Sequence, residues 1–105
     1  MATIHATAAE FNTAIQQNDV VLADFFATWC GPCKMIAPFI EMVSEEYEGE
    51  AVVLKVDVDE EPDLAAQFGV ESIPTVVLFK NGQAIRVEVG AHNKDFYAEM
   101  IESAL

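Results

Sequence analysis

Val20-Val21-Leu22-Ala23-Asp24-Phe25-Phe26-Ala27-Thr28-Trp29-Cys30-Gly31-Pro32-Cys33-Lys34 carries the reading of the fold. Val20 to Ala27 is nearly continuous apolar sequence, the pattern of a strand covered on both faces, which demands helices on both sides of its sheet. Beyond a short loop, Met35, Ile36, Phe39, Ile40, Val43 and Tyr47 keep a helical stripe, with Gly49 placed to end it. A strand that passes through a tight loop into a helix leaves the first helical N–H groups without intrahelical partners. Positive potential is then directed at the loop.

The only two cysteines of the chain, Cys30 and Cys33, occupy that loop and the first helical turn. The thiolate is the attacking species in thiol–disulfide exchange, and a helix N-terminus lowers a thiol's pKa. Two intervening residues allow the sulfurs to close a small disulfide ring, so one can attack and the other resolve. Cys30, nearer the loop surface, is expected to be the nucleophile and Cys33, drawn into the helix, the resolving thiol. Pro32 fits this order, because its fixed φ suits a first helical turn and its missing N–H costs least there. A purely structural disulfide closing so short a loop would stabilise the chain little. Half of a zinc site would need two more ligands, and the histidines, His5 and His92, stand singly. Redox chemistry is the stronger expectation.

Working outward, Thr7-Ala8-Ala9-Glu10 has the form of a capping box, followed by Phe11 and Ile15 at helical spacing to about Asn18. Pro38 falls inside the second helix, where it removes one backbone hydrogen bond and favours a kink. Ala51 to Val58 reads as a strand, Pro62 to Gln67 as a short helix stopped by Gly69, and Thr75 to Lys80 as another strand. Asn81-Gly82 is a hairpin signal, so Gln83 to Val89 should lie antiparallel to Thr75–Lys80. In that last strand Ile85, Val87 and Val89 alternate with Ala84, Arg86 and Glu88, which predicts a buried apolar face on an edge strand. Asn93 is a candidate cap for a final helix whose apolar face is Phe96, Tyr97, Met100, Ile101 and Ala104. The succession predicts a mixed α/β sandwich without repeats or linkers.

The chain has 105 residues, 52% of them hydrophobic, enough for one domain (1–105) with its own core. Eighteen acidic residues against five basic give a formal net charge of −13. That charge opposes approach to nucleic acid or anionic lipid, and partners should be neutral or basic where they dock. Met1-Ala2-Thr3-Ile4-His5 lacks the basic region and apolar stretch of a signal peptide, and no run approaches a membrane span. A reducing cytoplasm is the expected location.

Asp24 interrupts the most apolar strand, and Lys55 interrupts Val52 to Val56. Burial should raise the carboxyl pKa and a nearby ammonium oppose the rise. Asp24 precedes Cys30 by six residues on the strand leading into the loop. Both a proton-transfer group for Cys33 and a structural ion pair with Lys55 satisfy that spacing. Ser72-Ile73-Pro74-Thr75 begins a strand with a proline, cis or trans.

Taken together, Asp24-Phe25, Trp29-Cys30-Gly31-Pro32-Cys33-Lys34, Pro38, Lys55, Ile73-Pro74-Thr75, Phe79-Lys80-Asn81-Gly82 and Gly90 resemble the thioredoxin family over nearly the whole length. The resemblance implies a central five-stranded mixed sheet flanked by four helices and a monomeric protein that reduces disulfides in other proteins. It makes Cys30 and Cys33 the catalytic dithiol, Asp24 the buried proton-transfer group near Lys55, and Pro74 a cis-proline facing the cysteines. Trp29, Ile73, Pro74, Gly90 and Ala91 would form the docking surface for client proteins, with an extended client segment pairing beside Ile73. Gly31-Pro32 between the cysteines is the pair of reducing members. Thioredoxin reductase would recharge the dithiol, and no cofactor or metal need bind this chain.

Two departures accompany the resemblance. Phe26 stands where most thioredoxins have a second tryptophan, altering packing near the loop but not the chemistry, and the acidity exceeds that expected of the family. Other classes predict different behaviour. An oxidase or isomerase would have a potential above the roughly −270 mV typical of thioredoxins. A binding module would keep partner affinity without its cysteines, and a zinc protein would retain metal.

Overall fold

The computed structural model describes residues 3–105. Its elements are β1 (Thr3–His5), α1 (Ala8–Gln17), β2 (Val20–Phe26), α2 (Gly31–Glu46), β3 (Val52–Asp57), α3 (Pro62–Gln67), β4 (Thr75–Lys80), β5 (Gln83–Val89) and α4 (Lys94–Glu102). The five strands form one sheet in the order β1-β3-β2-β4-β5. β1, β3 and β2 run parallel, while β4 and β5 are antiparallel additions. Among the described residues no helix is long and apolar enough to cross a membrane.

β2 is the strand its composition predicts. Val20, Leu22 and Asp24 alternate with Val21, Ala23 and Phe25, and all six are buried. On one face Val20 and Leu22 join Ile36, Ile40 and Val43 of α2 and Tyr97, Met100 and Ile101 of α4. On the other, Val21, Ala23 and Phe25 join Phe11 of α1 and Leu64 and Ala65 of α3. Phe11 sits in an aromatic cluster with ring centroids 6.3 Å from Phe25, 5.4 Å from Phe68 and 5.4 Å from Phe79.

The local signals act as their chemistry requires. Thr7 caps α1 in a reciprocal capping box with Glu10, and Asn93 caps α4 by accepting from the Phe96 N–H at 3.0 Å. Asn81 and Gly82 both take positive φ, 52° and 82°, as a tight hairpin between β4 and β5 demands. Helix α2 continues through Pro38 as one element.

Two features differ from the sequence-based expectation. The three-residue strand β1, hydrogen-bonded to β3, carries too little pattern to be read as a strand. In β5 the faces are reversed: Ile85, Val87 and Val89 are 54%, 52% and 57% exposed. The buried cluster on the α1/α3 side ends at Val77 and Phe79 of β4, so the edge strand's apolar residues have no helix above them. Arg86 and Glu88 instead turn toward α4, where Arg86 pairs with Glu88 at 2.8 Å and with Glu99 at 2.9 Å. A register shift opposite Leu78 and Phe79 marks the irregularity.

This arrangement predicts opposite outcomes for two substitutions in chemical denaturation. Phe11→Ala is expected to cost about 3–5 kcal/mol of stability. Val87→Thr is expected to change it by less than about 0.5 kcal/mol, as an exposed position should. A large loss at Val87 would show that its face is covered.

Candidate active site

At the C-terminal end of β2 the chain crosses residues 27–29 and enters α2 at Cys30, the N-cap. Cys30 takes an extended conformation there, and its sulfur accepts a hydrogen bond from the Cys33 N–H at 3.2 Å. Pro32 lies in the first turn, where its missing N–H is not needed. Cys30 and Cys33 are joined as a disulfide across a Cα–Cα distance of 5.2 Å. Both are 4% exposed, so accessibility does not separate them in this state. The cap hydrogen bond does, since it supplies an N–H donor to Cys30.

The sulfurs lie in an apolar nest of Ala27, Phe26, Val58 and Ile73. Cys30 Sγ is 3.9 Å from the Ile73 carbonyl oxygen. The register of β2 with β4 pairs Phe25 with Thr75, which brings the start of β4 beside the dithiol. The Ile73–Pro74 peptide is cis. The Pro74 carbonyl accepts from the Gly90 N–H at 2.9 Å, so the loop after β5 lies against the proline. Gly90 has φ of +94°, a conformation that favours glycine.

Trp29 is 68% exposed, and its indole N–H donates to Asp59 Oδ2 at 2.7 Å. Asp57 in turn accepts from the Asp59 N–H at 2.9 Å, forming the side-chain-to-backbone turn common to aspartate at a strand end. Neither Asp57 nor Asp59 is singled out by the sequence reading, where each enters only in the total of eighteen acidic residues. An aspartate closing a strand, two residues before another, is the turn signal that identifies the pair.

Asp24 and Lys55 are register partners on the adjacent strands β2 and β3. Each lies two residues along its strand from a member of the cluster that packs on α2 and α4, Asp24 from Leu22 and Lys55 from Val53, so they share the face of the sheet covered by the helix that carries the cysteines. Asp24 is 1% exposed, and neither carboxyl oxygen has a hydrogen-bond partner among the described residues. Burial raises its pKa to about 6, while the Lys55 charge pulls in the opposite direction. Lys55 Nζ lies 4.5 Å from the centroid of the Phe26 ring. The aromatic face at position 26 therefore holds the ammonium in a cation–π contact.

The structure thus brings Trp29, Cys30, Gly31, Pro32, Cys33, Ile73, Pro74, Gly90 and Ala91 to the end of the sheet at which β2 leaves and β4 begins, with Asp24 and Lys55 in the layer behind. The thioredoxin family model matches residues 2–103. A thioredoxin of Staphylococcus aureus is 48% identical over 105 residues, covering all of both chains. A mutant thioredoxin from Halobacterium salinarum superposes with a TM-score of 0.88 at 41% identity, covering 98% of this chain and 88% of that one. Plasmodium falciparum thioredoxin gives a TM-score of 0.88 at 40% identity over the whole of both chains. With the paired cysteines at the helix N-terminus and the family pattern running through the whole sheet, the chain belongs to the thioredoxin family, oxidoreductases that act by thiol–disulfide exchange.

Proposed function

We propose that residues 1–105 form one monomeric, cytoplasmic domain that reduces accessible disulfides in other proteins, with Cys30 as nucleophile, Cys33 as resolving thiol and Asp24 as proton acceptor. The observation that carries the roles is the hydrogen bond from the Cys33 N–H to Cys30 Sγ at the N-cap of α2. A thiolate at Cys30 receives that donor and the positive end of the helix, and neither favours a thiolate at Cys33 to the same degree.

In the reaction a client docks against Trp29, Ile73, Pro74, Gly90 and Ala91. The Cys30 thiolate attacks one client sulfur, breaks the client S–S bond and releases the other sulfur as a thiolate. Cys33 loses its proton to Asp24, directly or through one water, and attacks Cys30 Sγ. The Cys30–client bond breaks, the two client thiolates take up one proton from Asp24 and one from solvent to leave as a dithiol, and the two electrons have come from the Cys30–Cys33 pair, now a disulfide. Gly31-Pro32 supports net reduction, as in the reducing members of the family. Thioredoxin reductase, a flavoenzyme, restores the dithiol, so this chain needs no resident cofactor or metal. The charge of −13 supports protein partners over nucleic acid or anionic membrane.

A pKa near 6 places Asp24 close to the working pH, where a carboxylate can accept a proton and later release it. The same shift has a stability consequence. Between the unfolded pKa near 3.8 and the folded value near 6 the native state holds a proton that the unfolded chain has released. Stability from Asp24 is therefore full below about pH 4 and lost as pH rises through 6.

Cys33→Ser is expected to accumulate mixed disulfides with client proteins and Cys30→Ser to form few, as read on non-reducing gels. Trapping by Cys30→Ser alone would reverse the roles. If the acidic surface faces partners, raising the salt concentration slows reaction with a basic client and quickens it with an acidic one. Equal salt responses in stopped-flow reduction would assign the charge to solubility. Asp24→Asn is expected to be more stable than the parent at pH 8, by on the order of 3 kcal/mol for a shift from 3.8 to about 6. It should also resolve mixed disulfides at least about tenfold more slowly. Denaturant unfolding across pH and single-turnover reduction read the two effects. Loss of stability with unchanged kinetics would leave Asp24 a structural group.

A further inference from the structure

Tyr97 belongs to the apolar stripe of α4 by periodicity, and its ring is fully buried against Met100, Ile101 and the strands. Its hydroxyl does something the stripe does not require. It accepts a hydrogen bond from the His92 N–H at 3.1 Å and lies 3.3 Å from the Gly90 carbonyl oxygen, to which it donates. One phenol oxygen thus joins both ends of the three-residue turn Gly90-Ala91-His92. The turn is held on its other side by the Gly90 N–H on the Pro74 carbonyl. Ala91 packs on the cluster that contains Tyr97. The His92 ring stacks on Phe96 with centroids 3.9 Å apart, and its Nε2 lies 3.3 Å from the Val89 carbonyl oxygen.

We infer that Tyr97 is a positioning residue for client docking: its hydroxyl, shared between the Gly90 carbonyl and the His92 N–H, holds the Gly90-Ala91-His92 turn in the conformation that meets the client beside Pro74. This rests on the reading of Gly90 and Ala91 as docking surface. Gly90 carries no side chain and has φ of +94°, so without an anchor its backbone is the freest part of that surface. An anchored turn presents its groups already ordered, and the client then avoids the entropic cost of ordering them. Burial raises the Tyr97 pKa, the hydrogen bond from His92 opposes the rise, and the negative charge of Asp24 adds to it. The phenol therefore remains protonated, and a donor to Gly90, throughout the neutral range. A simple apolar α4 would need only a leucine or phenylalanine at this position. The hydroxyl serves the turn.

Tyr97→Phe removes one oxygen and keeps the buried ring. With insulin as the protein disulfide, the variant is expected to show a KM raised about fivefold with kcat unchanged, the size expected for one lost hydrogen bond. Amide hydrogen exchange at His92 should accelerate in parallel. A parallel variant, Ala91→Glu, tests the docking surface itself. If Ala91→Glu raises KM while Tyr97→Phe lowers only the melting temperature, the docking surface stands and the positioning role of Tyr97 is overturned. If neither substitution moves KM, the docking reading fails and the inference falls with it.

Discussion

Strand β2 must be dry on both faces, and the rest of the molecule is arranged around meeting that demand. Its odd and even side chains enter separate apolar clusters, one built with α2 and α4 and the other with α1 and α3. It also takes hydrogen bonds from a parallel neighbour, β3, and an antiparallel one, β4. Because β2 is central, the loop at its C-terminal end opens where three elements converge. These are the N-terminus of α2, the start of β4 at Pro74 and the turn that follows β5. No residue of that loop needs to be recruited from far away in space. The pairing of β4 with β2 and of β5 with β4 brings Ile73, Pro74 and Gly90 to the end of the sheet at which Cys30 caps α2.

The exception inside β2 is Asp24, and its energetics separate it from ordinary core residues. A buried carboxyl group beside an apolar cluster, with no hydrogen-bond partner among the described residues, is destabilising once ionised, and the cation on the next strand offsets only part of that cost. Lys55 closes no ion pair with Asp24 within 4 Å, because its ammonium lies over the Phe26 ring. The aromatic at position 26 thus keeps the cation near enough to lower the carboxyl pKa and too far to neutralise it. That balance leaves the pKa near 6 rather than in the ordinary carboxylate range. A well-packed leucine at position 24 would give a more stable sheet and no titratable group in the layer behind the dithiol.

Features carried by strong local chemistry were legible in the sequence. The Thr7 capping box, the Asn81-Gly82 turn, the doubly covered β2 and the cysteines at a helix N-terminus each depend on residues close in the chain. Their physical signals are strong enough to survive without tertiary information. β1 was not legible, because three residues give no period and its pairing is supplied by β3. The facing of β5 was misread because alternation reports two different faces but not which one a helix will cover. Tyr97 was legible as core, and Asp59 only as one acid among eighteen. Their polar atoms acquire partners, Trp29 and the Gly90–His92 turn, only when elements 30 residues or one loop apart are folded together.

The distribution of charge follows from the same construction. A sheet whose two faces are both occupied by helices leaves few positions for polar residues other than helix exteriors and loops, and acidic side chains fill them here. Five cations among eighteen anions cannot neutralise that surface pairwise. Those the structure engages are committed: Arg86 to Glu88 and Glu99, Lys94 to Glu46, Lys80 to the Ala104 carbonyl, and Lys55 to Phe26. The region around the cysteines is set apart from this by its composition, since Ala27, Ile73, Pro74, Gly90 and Ala91 carry no charge. Asp59 is tied to the exposed Trp29 indole that flanks this region. An uncharged area within an anionic surface suits short-range contact with backbone and apolar groups. The surrounding field acts at longer range on any charged molecule that approaches.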